Sequence, residues 1–168
     1  SNSFTFGLEA VKSQFEWIGS AEQSFNINQD LIFNFQNCFK LDDIANTYFG
    51  IQAYDRKSSI SLNKLSDNYL PIIDGADVYR YQYSYPNKFF NYIVENIKSG
   101  GEWSVYSRDR IVVRQIGNTP IVGYCSANIL TSNTIYNIFL KNENYLLKYL
   151  FAVLNSKIIK EYWLKVYN

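Results

Sequence analysis

The sequence contains no histidine among its 168 residues. A Ser-His-Asp triad, a Cys-His nucleophile pair and any metal site built on imidazole are therefore excluded. There are only two cysteines, Cys38 and Cys125, and they lie far apart in the chain. Two scattered cysteines cannot form a four-ligand zinc site or a CxxC redox motif. We expect both to be ordinary buried thiols of a reducing compartment.

Methionine is also absent, and hydrophobic runs are short. The longest apolar run, Tyr149 to Leu154, is far shorter than the roughly 18 residues that a membrane-spanning helix needs. The opening Ser1-Asn2 resembles a protease-cleavage scar, so we expect the chain to be a fragment excised from a larger protein. Together these features predict a cytoplasmic location and no membrane partner.

Charge of either sign is sparse, and the net charge is only +1. Residues 1–50 hold two lysines and six acidic residues, whereas residues 51–168 hold 14 basic and nine acidic residues. All five arginines fall between positions 56 and 114. Arginine makes bidentate contacts to phosphate and to guanine edges. A solvated surface with scattered cations explains the same distribution, so charge alone leaves both interpretations open.

Short alternating and β-branched segments predict strands in the middle of the chain. Residues 110–115 and 120–124 are predicted to form two strands joined by a turn at Gly117-Asn118. Tyrosines alternate with polar residues over 79–85, which predicts a strand with two different faces. Further strands are predicted over 50–60, interrupted by a polar turn, and over 131–140.

Helical spacing of apolar residues predicts helices near both ends and in the middle of the chain. A helix is predicted over 86–98, ended by Ser99-Gly100-Gly101. Asn28 is a candidate cap for a helix that reaches Cys38. From Asn142 onward the pattern is helical to the end of the chain.

These elements predict a mixed α+β fold, with a curved, largely antiparallel sheet and C-terminal helices docked on it. We expect an N-terminal helical or connecting segment over 1–39 and a β-rich domain over 40–141. Residues 142–168 are expected to form helices that pack on this domain. The length and the 47% apolar content suit one globular domain with such an appendage.

Four segments share the order and spacing of one family's motifs. They are KLDDIA at 40–45 followed by FGI at 49–51, LPIIDGADVYRY at 70–81, SRDRIVVRQIG at 107–117, and NTIY at 133–136 followed by YLFAVLNS at 149–156. Together they resemble the TaqI-like specificity domain. This domain is the target-recognition part of adenine-N6 DNA methyltransferases in restriction-modification systems. One departure is Ala76, which stands where the family usually has a basic residue.

The resemblance implies sequence-specific recognition of duplex DNA, as the specificity domain of a type II or similar adenine-N6 DNA methyltransferase. The sequence has no adjacent prolines and no Gly-x-Gly, so it lacks an Asn-Pro-Pro-Tyr-type tetrapeptide and a glycine-rich turn for S-adenosylmethionine. Catalysis is therefore expected outside this fragment, which itself should be no enzyme and hold no cofactor. The parent enzyme would use S-adenosylmethionine, and Mg²⁺ if it also cleaves DNA. The expected partners are double-stranded DNA and the methyltransferase domain, or a nuclease domain as well, of the same polypeptide.

Arginine, lysine and glutamine side chains are the candidate DNA contacts. Cations on a turn suit phosphate, and arginine or glutamine at a strand end suits guanine or adenine edges. The candidates are Arg56, Lys57, Arg80, Arg108, Arg110, Arg114 and Gln115. A solvated turn at 56–57 and arginines that bridge loops within the domain are the structural alternatives. The tyrosines of 79–85 are interpreted as core and wall in preference to a base-stacking surface.

Two other function classes stay open. Asp55-Arg56-Lys57 spells D-x-K, and Asp42 and Asp43 lie upstream. Paired carboxylates with a lysine form the skeleton of a Mg²⁺-dependent nuclease, but geometry has to decide whether they meet. The near-neutral charge and the abundance of tyrosine also fit a protein-interaction or scaffold module.

Overall fold

Twelve short strands and five helices make up the part of the chain that the computed structural model describes, residues 39–142 and 144–167. The strands are β1 (Ala45–Phe49), β2 (Gln52–Ala53), β3 (Ile60–Ser61), β4 (Tyr69–Ile73), β5 (Val78–Tyr79), β6 (Gln82–Tyr83), β7 (Lys88–Asn91), β8 (Ile97–Ser99), β9 (Arg110–Arg114), β10 (Val122–Cys125), β11 (Leu130–Thr131) and β12 (Ile135–Leu140). The helices are α1 (Leu41–Ile44), α2 (Arg56–Ser59), α3 (Trp103–Tyr106), α4 (Leu147–Leu154) and α5 (Lys157–Tyr167), with 3-10 turns at Gly75–Asp77 and Val94–Asn96. The predicted mixed α+β class is confirmed.

The first sheet has the order β1-β12-β9-β10 and is antiparallel throughout. Its central strand β9 is buried on both faces because β-branched residues fill both sides of the pleat. One face packs through Ile111 against Leu150 of α4. The other face packs through Val112 against Ile73 and Cys125. Burial raises the pKa of the Cys125 thiol to about 11, so it is an unreactive core residue, as expected.

The second sheet has the order β11-β4-β7-β3 and contains one parallel pair, β11 with β4. Phe90 of β7 lies at its centre and is 1% exposed. It belongs to a core cluster with Ile72, Val105, Tyr106 and Leu130. The predicted antiparallel architecture is therefore divided between two sheets, with the small pairs β2-β8 and β5-β6 beside them.

Gly50 lies where the chain passes from the first sheet to the second. Its N–H donates to the carbonyl of Ile135 at 3.0 Å, and the next N–H, of Ile51, donates to Thr131 at 2.7 Å. A Cβ at Gly50 would lie 2.1 Å from the carbonyl oxygen of Ser132. The two sheets are thus joined by a close backbone approach that only glycine allows.

The helix predicted over 86–98 is wrong. This segment forms β7, a 3-10 turn and β8. Phe90 pairs with Leu70 on one side and with Ile60 on the other, and these two ladders satisfy its backbone. Helical spacing in a short apolar run does not distinguish a helix from a strand. Pairing with the neighbouring strands stabilises the strand here.

Some of the other predicted elements are wrong and others are confirmed. The single strand predicted over 79–85 is instead the hairpin β5-β6, because Tyr81 adopts a left-handed conformation with φ of 76° between its two halves. The turn predicted within 50–60 is the helical turn α2, while the β9-β10 hairpin and the C-terminal helices are confirmed.

The helix predicted from Asn28 to Cys38 lies outside the described residues. The boundaries after 39 and 141 stay predictions. No helix in the described residues is long and apolar enough to span a membrane.

Candidate nucleic-acid interface

An open cleft of about 420 Å³ lies at the C-terminal end of β9. Four segments that are distant in sequence line it, and we call it the Arg56–Arg114 cleft. Its lining residues are Arg56, Asp74, Gly75, Ala76, Arg114, Ile116, Asn133 and Thr134. Two of the seven predicted DNA-contact residues, Arg56 and Arg114, therefore meet at one site.

Arg56 is fixed in this cleft by the carboxylate of Asp74. Its Nη2 donates to Asp74 Oδ1 at 2.6 Å and to Oδ2 at 2.7 Å. Lys88 of β7 donates its Nζ to the same Oδ2 at 2.8 Å. Ser132 also helps to lower the pKa of this carboxyl, whose side chain is only 17% exposed. One carboxylate thus brings together side chains from separate segments of the chain.

The donors of Arg56 are only partly used by this network. Within the described residues, its Nε and Nη1 have no hydrogen-bond partner. The Arg56 side chain is 50% exposed. Arginine carries five N–H donors in a planar fork, so Arg56 can be held by Asp74 and still offer donors to an anionic ligand.

Arg114 lies on the other side of the cleft at the last position of β9. Its backbone pairs with Ile135 of β12, and its N–H donates to Ile121 at 3.0 Å. The side chain is half-buried and forms no ion pair with the described carboxylates. Two exposed residues follow it, Gln115 and Ile116. The N–H of Gln115 donates to Thr134 at 3.0 Å, which places the start of this loop against the cleft.

Gly75 connects the two sides of the cleft. Its N–H donates to Thr134 Oγ1 at 2.8 Å, and Ser132 Oγ lies 2.8 Å from the same hydroxyl. A Cβ at Gly75 would lie 3.0 Å from the Thr134 carbonyl and 3.4 Å from Cγ of Arg114. The turn Asp74-Gly75 therefore holds Arg56 through a carboxylate. Through the N–H of Gly75 it also bonds Thr134, whose carbonyl accepts the N–H of the residue after Arg114.

Arg80 and Arg108 lie away from this cleft. Arg80 donates its Nη2 to the carbonyl of Asn155 at 2.6 Å, just past the end of α4, where a cation is favourable. Arg108 donates its Nε to Ser104 at 2.9 Å and lies over the ring of Phe139. The two ends of β9 are roughly 13 Å apart, so the structure does not bring Arg108 together with Arg114.

Arg110 is completely buried, and the prediction that it contacts DNA is wrong. Its Nε donates to Asn137 Oδ1 at 2.7 Å, and its other donors bond the carbonyls of Arg108, Ser126 and Ile129. Burial lowers its pKa, but a guanidinium stays protonated in proteins. Arg110 therefore has the structural role that was the alternative for these arginines.

The D-x-K segment caps a helical turn. Asp55 Oδ1 accepts the N–H of Lys57 at 2.9 Å, and this bond is the main reason why the pKa of Asp55 is lowered. Lys57 is exposed on α2, beside Arg56. The described part of the chain contains no group of three or more His, Cys, Asp or Glu side chains placed to hold a metal ion. Geometry within these residues thus adds no support to the nuclease alternative.

Sequence reasoning missed Asp74, Lys88, Asn133 and Thr134 as residues of the site. Asp74 stands in the segment 70–81, which carries the family resemblance but no predicted contact, and Lys88 falls in a segment predicted to be helical. The side chains of 56, 74, 88 and 132 meet only because β4, β7 and β11 are neighbours in one sheet. A single sequence carries no signal for that pairing.

Acid is expected to weaken the fold through Asp74. Burial alone would raise the pKa of its carboxyl, but hydrogen bonds from Lys88, Ser132 and Arg56 outweigh it and lower the pKa below the ordinary value of 3.8. A lowered folded-state pKa contributes stability that is present above pH 3.8 and is lost as the pH falls through the folded pKa. Urea unfolding of wild type and Asp74→Asn between pH 7 and pH 2.5 should show a smaller acid loss in the variant. Equal losses would contradict this assignment.

Comparison with known proteins identifies the family. The sequence model of the TaqI-like C-terminal specificity domain matches residues 70–168, more than half of the chain. The chain belongs to this family. The resemblance found in the sequence motifs is therefore confirmed. Arg114 and the Asp74-Gly75 turn of this TaqI-like domain lie within the matched region, whereas Arg56 precedes it.

Structural comparison gives a more distant match. The TaqI-like domain matches a solved structure from work on complex assembly and conformational transition of the type I R-M system, with 12% sequence identity and a TM-score of 0.45. The match covers 77% of this chain and 31% of that chain. The present chain thus spans less than a third of that protein's length. A search of curated protein sequences gave no match.

Proposed function

We propose that this TaqI-like domain recognises duplex DNA by sequence, with the Arg56–Arg114 cleft facing a groove. The observation that carries the proposal is the convergence of Arg56 and Arg114 on one open cleft. Arg56 is exposed there and Arg114 is half-buried. Arginine forms the commonest specific contact to guanine and is equally suited to phosphate.

The neighbouring side chains suit base reading. Asn133 lines the cleft and is exposed, and Gln115 is exposed on the adjoining loop. Amide side chains pair with the N6 and N7 atoms of adenine in the major groove. Ile116 is 71% exposed at the same site and can contact a thymine methyl group. We assign base reading to Arg56, Arg114 and their neighbours in the cleft, and a phosphate contact to Lys57 on α2.

The parent protein is proposed to be an adenine-N6 DNA methyltransferase of a restriction-modification system, of type II or a related type. Family membership supports this role. The tetrapeptide that holds the flipped adenine is absent from this chain, so methyl transfer would be carried out by another domain of the parent. S-adenosylmethionine would then bind a methyltransferase domain elsewhere in the polypeptide. Mg²⁺ would be needed only by a nuclease domain outside this chain. Methyl transfer from labelled S-adenosylmethionine to DNA by the parent tests this assignment.

Binding measurements test the DNA-reading role. Fluorescence anisotropy with a randomised duplex at about 50 and 200 mM salt should show affinity that falls as salt rises, because phosphate contacts release counterions. Sequence selection should then yield a preferred site. Arg114→Ala is expected to relax the preference at one base pair, at a cost of about 1–3 kcal/mol. Arg108→Ala removes the same charge from the other end of β9, beyond the screening length of about 8–10 Å, and should leave the preference unchanged.

Three results would overturn the proposal. Absence of DNA binding at low salt, by this chain and by its parent, would exclude DNA recognition. A stable protein partner, with DNA binding unaffected by Arg114→Ala and Arg80→Ala together, would favour a scaffold module. Mg²⁺-dependent nicking of plasmid that is lost in Asp55→Ala would instead assign a nuclease.

A further inference from the structure

Asp74 is an unexpected residue for a surface that faces DNA. Its carboxylate lies in the Arg56–Arg114 cleft, where its charge repels phosphate. The sequence motifs give it no role beyond its place in the segment 70–81. The contacts of the Asp74-Gly75 turn nevertheless connect the two sides of the cleft.

The first contact orients Arg56. An arginine on an exposed helical turn samples many rotamers, and a ligand that fixes it loses the corresponding entropy on binding. Both carboxylate oxygens hold one nitrogen, Nη2, at 2.6 and 2.7 Å. The guanidinium is therefore oriented before any ligand arrives, with Nε and Nη1 left without partners among the described residues.

The second contact fixes Asp74 itself. Lys88 donates to Oδ2 at 2.8 Å from β7. The N–H of Asp74 donates to Asp77 Oδ2 at 2.8 Å, and the carbonyl of the preceding Ile73 accepts the N–H of the buried Ser132 at 3.0 Å. The carboxylate is thus attached to β7 and its backbone is held on both sides, so Asp74 cannot follow Arg56 if Arg56 moves.

The third contact runs through the next residue to Arg114. The N–H of Gly75 donates to Thr134 Oγ1 at 2.8 Å, and the Thr134 carbonyl accepts the N–H of Gln115, the residue after Arg114, at 3.0 Å. One turn therefore holds Arg56 through its first residue and is connected through its second, by way of Thr134, to the end of β9. Asp74-Gly75 thus connects Arg56 to the strand end that carries Arg114.

We propose that Asp74 is a positioning residue that determines sequence preference by fixing Arg56 relative to Arg114. This inference rests on the proposed DNA-reading function. Charge alone predicts that removing Asp74 improves binding to every duplex. Positioning predicts a loss of preference for the selected duplex over a randomised one. The two effects therefore change the affinity for the selected duplex in opposite directions.

The test compares Kd for the selected duplex with Kd for the randomised duplex in wild type and Asp74→Asn. We expect the preference, which is Kd for the randomised duplex divided by Kd for the selected duplex, to fall by about tenfold, the value of one good base contact. The randomised duplex should bind as tightly as before or more tightly. Asp67→Asn is the matched control. Asp67 is fully exposed and, among the residues that the structure describes, forms an ion pair only with Lys64, at 3.5 Å, so this variant removes one charge without affecting the cleft.

Arg56→Lys keeps the charge and tests the same idea on an exposed residue whose replacement leaves the core intact. Lysine lacks the planar fork, so we expect it to lose the preference to the same degree. Combined with Asp74→Asn it should lose little more, because both changes remove one interaction. A preference retained in both single variants overturns the inference and leaves the proposed function standing. Absence of any preference in wild type overturns both.

Discussion

Gly50→Ala is expected to prevent stable folding of this domain. A Cβ would lie 2.1 Å from the carbonyl oxygen of Ser132 and 2.5 Å from that of Thr131, and both are backbone atoms of the second sheet. No side-chain rotation relieves such an overlap, so the sheets must separate where Ile51 bonds Thr131. We expect a loss of at least about 4 kcal/mol in the free energy of unfolding, a size reached only by severe substitutions.

Circular dichroism and urea unfolding measure this effect. Gly117→Ala is the control, because its Cβ would meet only the Thr119 carbonyl at 3.2 Å and Ile121 at 3.8 Å in an exposed loop that can adjust. We expect that variant to unfold within about 1 kcal/mol of wild type. A Gly50→Ala protein as stable as Gly117→Ala would show that the junction between the sheets is looser than described.

Arg110→Ala is expected to cost about 3–5 kcal/mol. The substitution removes a fully buried side chain and takes the arginine donors away from Asn137 Oδ1 and from the carbonyls of Ser126 and Ile129. Lysine cannot replace it, because one ammonium group cannot reach partners arranged around a planar fork. Arg110→Lys should therefore be nearly as destabilised as Arg110→Ala.

Arg108→Ala provides the comparison for Arg110, since its contacts are to Ser104 and Phe139 on an exposed surface. We expect a change of about 0.5 kcal/mol or less there. The urea midpoint, followed by tyrosine and tryptophan fluorescence, measures both. If Arg110→Ala and Arg108→Ala unfold at the same midpoint, the buried network contributes nothing to stability and the assignment of Arg110 fails.

Arg110 and Arg114 show what the sequence could and could not predict. Alternation places both arginines on the same face of β9, together with Val112, and the strand itself was predicted from its β-branched residues. Their roles differ because Arg110 lies under the loop that carries Ser126 and Ile129, while Arg114 lies at the open end of the sheet. Nothing local to 110–114 encodes which end is covered.

The same limit applies to the rest of the site. The β9-β10 hairpin and the helices α4 and α5 followed from local periodicity and turn chemistry, and these predictions are confirmed. The segment 86–98 was misassigned because its partners in β3 and β4 lie far away in the chain. Asp74 was missed for the same reason, since its three donors are brought to it by strand order.

The composition of the Arg56–Arg114 cleft has a consequence for how such a domain evolves. Ala76, Ile116 and Asn133 are exposed lining residues that contribute nothing to the apolar core. Exchanging their side chains changes the chemistry offered to a ligand at small cost in stability, because surface substitutions are usually near neutral. The scaffold beneath them, from Gly50 to the buried Arg110, tolerates no such exchange. A lineage built this way can acquire a new target by a few surface substitutions while its architecture stays constant.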